Sequence, residues 1–116
     1  MVDAHKITEQ TILISHRIYA NLIDQDHGYL DRARCLLESK HNSGSLTAGE
    51  EAWLGLFDAP WTSIRTAMLA DTPNGRLLRS NSPFSLVIGI SDPQERRQLW
   101  RQAKHDLSVA TISHAR

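Results

Sequence analysis

Two prolines ten residues apart, Pro83 and Pro93, each follow a short polar residue, Ser82 and Asp92. Such a pair marks a helix start. The side-chain oxygen caps free amides, and proline takes the first helical position, where no amide hydrogen is needed. Between them lies the only dense apolar run of the chain, Leu86-Val87-Ile88-Gly89-Ile90, with room for one or two helical turns. Phe84–Ile88 is therefore read as a short buried helix. Val and Ile suit a strand as well, but no partner strand is recognisable elsewhere, and a lone strand is not a stable element.

The same kind of punctuation divides the rest of the chain. Ile7, Thr11, Ile14, Ile18 and Leu22 recur at helical spacing, with Ile12, Tyr19 and Ile23 widening the stripe, which predicts a well-buried helix over about 7–23. It stops near "DQDHG", where Gly28 and short polar residues favour a turn. Tyr29, Ala33, Leu36 and Leu37 mark a second helix that ends before "HNSGS". Thr47-Ala48-Gly49-Glu50 has the capping-box form, which opens a third helix with Trp53, Leu56 and Phe57 on its apolar face. Pro60 starts a fourth, striped by Trp61, Ile64 and Met68. "DTPNG" is a turn or tight helix start before Leu77-Leu78, and Leu99, Trp100, Ala103 and Leu107 stripe the last helix. These signals predict an all-α, single-domain bundle of five or six helices over 1–116, fraying at 1–5 and 109–116. Phe84, Val87, Ile88, Trp61 and Leu99 are the expected core.

A chain of 116 residues buries roughly two-thirds of its unfolded surface, enough for a core without disulfide or metal staples. The single cysteine, Cys35, cannot form an internal disulfide, which favours a reducing compartment. It is read as a small half-buried residue rather than a reactive thiol. The polar N-terminus is no signal peptide, and no apolar run approaches the ~20 residues of a membrane helix. A soluble cytoplasmic protein without membrane association is expected. Formal net charge is zero but unevenly spread: residues 1–58 carry nine acids and five bases, residues 59–116 four acids and eight bases. The halves are −4 and +4. This pattern suits pairing between opposite ends, within a chain or between copies, or a weak nucleic-acid footprint.

No nucleophile elbow, P-loop, zinc-helix or dinucleotide motif is present, and no catalytic or cofactor-binding residues can be assembled. The densest polar cluster, Asp24, Asp26, His27 and Asp31, lacks paired histidines or a Glu-x-x-His unit, so it is read as a solvated turn and not assigned as a metal site. On the last helix Arg97, Arg101 and Lys104 recur at i, i+4 and i+7 beside Trp100. Tryptophan and arginine dominate interface hot spots, so these four are the expected partner-binding residues. A second constellation lies in the helix–turn–helix-like unit over 47–70, where Thr62, Ser63, Arg65 and Thr66 point away from the apolar stripe, with Arg76 and Arg79 beyond it. Hydroxyls and arginines of this kind address phosphates and base edges.

The first functional reading is a macromolecule-binding, regulatory helical protein without catalytic activity or cofactor, its partner a protein or a second copy of itself. A DNA-binding regulatory or accessory protein using 47–70 is the alternative, and an enzyme or metal-binding protein the third.

Overall fold

Among the described residues seven helices, in the order α1 (Ala4–Gln25), α2 (Gly28–Asn42), α3 (Ala48–Leu56), α4 (Trp61–Leu69), α5 (Pro73–Ser80), α6 (Phe84–Val87) and α7 (Pro93–His114), follow from this punctuation. The computed structural model describes residues 3–90 and 92–114, without the side chains of 110–114. No strand occurs among the described residues. The fold is all-α: six helices have eight residues or more and α6 is a single turn of four. By their contacts the residues form two compact units, Met1–Ser15 with Ile90–Arg116, and His16–Gly89. Helical backbone runs through Ala4 and His5 and through 109–114, where fraying is predicted. Residues 1, 2, 115 and 116 lie outside the described residues.

Side-chain caps mark the starts of α3, α5 and α6 in the larger unit. Thr47 Oγ1 accepts the Glu50 amide at 3.1 Å while Glu50 Oε1 accepts the Thr47 amide at 3.1 Å, a complete capping box. Thr72 Oγ1 accepts the Gly75 amide at 3.0 Å, with Pro73 in the first turn of α5. Ser82 Oγ accepts the Phe84 amide at 3.1 Å. Gly89, at φ +66°, closes α6, its amide and that of Ile88 both returning to the Phe84 carbonyl. α1 stops at Gln25, inside the "DQDHG" stretch as expected, and Gly28 opens α2, its amide donating to Asp26 Oδ1 across the turn.

The core of this unit is aromatic. Trp53 and Phe84 are fully buried and Phe57 nearly so. The Trp53 ring meets Phe84 edge-on at 5.3 Å between centroids and Phe57 at 5.7 Å. Leu37 of α2, Ile64 and Met68 of α4 and Leu78 of α5 are buried in the same unit. α5 packs on α3 and α4, and α2 on α3 and α6. Arg34 of α2 sits over Phe57 at 5.8 Å and pairs with Asp58 at 3.2 Å.

Four burial expectations change. α1 has two apolar sides, and the deeper-buried one carries His16, Tyr19, Ala20 and Ile23, leaving Ile18 and Leu22 about two-fifths exposed. Within 84–88 only Phe84 is fully buried; Val87 and Ile88 are half-buried and Leu86 is 71% exposed. One helical turn cannot aim Phe84, Leu86, Val87 and Ile88 at one core. Trp61 and Leu99 are half-buried. Cys35 is exposed, because α2 buries Ala33 and Leu37 and position 35 lies on the opposite side.

The smaller unit holds the first part of α1 and α7. Ile7 and Ala103 are buried, and Leu107 is half-buried. Asp92 Oδ1 accepts the Gln94 amide at 3.2 Å and opens α7, as the Asp-Pro pair predicts.

Two outcomes test this account. Trp53→Ala should cost about 3–5 kcal/mol, whereas Leu86→Ala should stay within about 0.5 kcal/mol, both read by urea unfolding. The second concerns Glu50, whose buried carboxylate also accepts a hydrogen bond from Lys40 Nζ. That bond first, and the Thr47 amide second, hold its pKa below the ordinary glutamate value. The folded pKa lies under the unfolded one, so the stabilisation is complete above the ordinary range and is lost as pH falls through the lowered value. The stability deficit of Glu50→Gln against wild type should be greatest near neutrality and shrink in acid.

Candidate partner-binding face

α7 displays Arg97, Arg101 and Lys104 at i, i+4 and i+7, and all three are exposed. Their spread along the helix is about 10 Å at 1.5 Å per residue. Trp100 lies on the border between this row and the Leu99/Ala103/Leu107 side, and is 44% exposed. Lys104, one turn further on, places its ammonium over the Trp100 ring at 5.4 Å from the centroid. The ring thus has one face held by a cation and part of its surface open to a partner.

Pro93, Arg96, Arg97 and Trp100 line a shallow surface depression at the start of α7. Arg96 is the residue that sequence reasoning missed. Its signal was present: Arg96 precedes Trp100 by one helical turn, as Pro93 precedes Arg97. Among the described residues no carboxylate forms an ion pair with Arg97, Arg101 or Lys104. The four expected partner-binding residues are therefore brought together by one helix, with their positive charge unneutralised.

The second constellation is only partly assembled. Thr62, Ser63 and Thr66 are exposed on α4 and line an open groove with Ala67 and Ala70. The Thr66 hydroxyl, however, donates to the Thr62 carbonyl at 2.9 Å. All three arginines assigned to this site are engaged within the protein. Arg65 Nε lies 3.4 Å from Asp24 Oδ2, and its Nη2 donates to Asn21 Oδ1 at 3.4 Å. Arg76 pairs with Asp71 at 3.0 Å. Arg79 is buried, its Nη1 donating to the carbonyls of Met68 at 2.9 Å and Ala70 at 2.8 Å.

Arg79 thus closes the carbonyl end of α4 and is no phosphate ligand in this conformation. The site is tight: a Cβ added to Gly75 would lie 2.1 Å from the Ala70 carbonyl oxygen and 3.2 Å from Arg79 Nη1. A lone arginine near the end of α5 carries no sequence signal of this role, since its acceptors lie on the preceding helix and connection.

The acidic cluster is divided by the fold. Asp24 accepts from Trp61 Nε1 at 2.7 Å and pairs with Arg65. Asp26 forms the turn to Gly28, and His27, preceding α2, meets the Trp61 ring edge-on at 6.3 Å. Asp31 stands exposed on α2. Among the described residues no three His, Cys, Asp or Glu side chains are grouped to hold a metal ion. No helix among them is long and apolar enough to cross a membrane. Compared with known proteins, the chain matches no protein family, no curated sequence and no solved structure.

Replacing Arg79 by Met keeps an apolar stem but strips two carbonyls of their donor. An unsatisfied buried polar group costs about 1–3 kcal/mol. Arg79→Met should therefore lower stability by that order in urea unfolding, whereas Arg97→Met on exposed α7 should leave it nearly unchanged.

Proposed function

We propose that this protein acts by binding, not catalysis, and that its working surface is the cation–aromatic face of α7: Arg97, Trp100, Arg101 and Lys104. The observation that carries the reading is a half-exposed tryptophan beside cations that no carboxylate of the described chain neutralises. Such a ring leaves apolar area in water, and the adjacent cations select the sign of what covers it. The partner chemistry that fits is an acidic protein surface with an apolar or small residue between its carboxylates. A regulatory role is part of this proposal. The lone thiol, Cys35, suits a reducing compartment, the cytoplasm in this proposal.

The DNA-binding alternative has less support, because Arg65 and Arg76 are committed to carboxylates and Arg79 to backbone carbonyls. For duplex contact, α7 offers the exposed cations Arg97, Arg101 and Lys104.

A glutamate-rich synthetic helical peptide serves as the probe, with binding followed by chemical-shift changes of the indole NH groups. The Trp100 signal should move on titration and those of Trp53 and Trp61 should not. The triple variant R97A/R101A/K104A should bind about tenfold or more weakly with unchanged unfolding temperature, since exposed ion pairs contribute about 0.2–1 kcal/mol each. Tight duplex DNA binding that falls steeply with salt, together with no response to the acidic peptide, would transfer the face to nucleic acid.

A further inference from the structure

The face on α7 has a counterpart in the same chain. α2 presents Asp31, Cys35 and Glu38 at i, i+4 and i+7, all exposed, the same spacing as Arg97, Arg101 and Lys104. Among the described residues neither Asp31 nor Glu38 forms an ion pair. The arginines and the lysine of α2 are turned to other uses: Arg34 pairs with Asp58, Lys40 with Glu50, and Arg32 lies over the Tyr29 ring at 5.1 Å. Between the two carboxylates the row carries only the small thiol side chain of Cys35, which leaves room for an aromatic ring.

From this match we infer that the occupant of the α7 face is a second copy of the protein, seated through its α2 row. This rests on the reading of α7 as a protein-binding face and names the partner. Two helices run side by side with their rows in contact. Laid antiparallel, Arg97 faces Glu38, Lys104 faces Asp31, and Trp100 with Arg101 covers Cys35. The −4 and +4 halves of a chain with no net charge give each copy both members of the pair. Exposed ion pairs are weak and screened by salt, so the association is concentration-dependent and reversible, with Trp100 supplying the apolar contact.

The test is a charge exchange read by analytical ultracentrifugation of the full chain at high micromolar concentration. Wild type should exceed the monomer mass at low ionic strength and return to it as salt is raised. R97E/R101E/K104E and D31K/E38K should each be monomeric, with helical circular dichroism unchanged because all five positions are exposed. Mixed in equal amounts, the two variants should associate again, since the glutamates on α7 of one now meet the lysines on α2 of the other. Wild type monomeric throughout, variants that associate as wild type does, or a mixture that stays monomeric would each overturn the inference. The acidic-peptide titration separates the two levels. A peptide response with no self-association removes only the second copy as partner, and loss of both removes the binding role of α7 as well.

Discussion

The indole of Trp53 donates to the carbonyl of Leu78 at 2.7 Å in a fully buried site, while its ring is met by Phe84 and Phe57. One side chain from α3 thus fixes α5 through a hydrogen bond and α6 through an edge-on ring contact. In a core of low polarity such a bond is strong and its geometry narrow, because either partner left alone would be unsatisfied. Thr47 adds to the same joint from the other end of α3, its hydroxyl donating to Asn81 Oδ1 at 2.9 Å just past α5. Lys40 on Glu50 then ties α2 to the start of α3. The larger unit is held by a few polar contacts set into an aromatic core rather than by apolar area alone.

Arginine is used in two opposite ways along this chain. In residues 16–89 four arginines are engaged within the fold: Arg34 on Asp58 and Phe57, Arg65 on Asp24, Arg76 on Asp71, and Arg79 on two carbonyls. On α7, Arg97, Arg101 and Lys104 are exposed beside a half-exposed tryptophan. A net-charge count cannot tell these groups apart, although their energetics differ. A buried arginine satisfying two carbonyls stabilises the fold, whereas an exposed row adds little to stability and remains available to a partner. This division is what favours α7 over α4 as a working surface.

The helix starts were legible because their causes are local. Thr47 with Glu50, Thr72 with Pro73, Ser82 with Phe84 and Asp92 with Pro93 act within three residues of one another, so a linear reading finds them. The cation–aromatic row of α7 was legible for the same reason, since Arg97, Trp100, Arg101 and Lys104 share one helix and need no other element to bring them together. The Leu86–Ile90 run shows the limit. Its composition points to a core, but a single turn closed by Gly89 aims Phe84 inward and Leu86 outward. Hydropathy records no direction.

Sequence alone therefore determined the all-α class, the order of the helices and the cationic face of α7, all products of spacing and capping over a few residues. Tertiary structure decided which of the two apolar sides of α1 is buried more deeply, that Trp53 and not Trp61 is the fully buried tryptophan, and that Asp24 and Arg65 meet across 41 residues of chain. It also decided that Arg79 turns inward to the end of α4. Each of these depends on what a neighbouring helix presents at close range. A residue's local pattern is equally compatible with several such neighbours, and only packing selects among them.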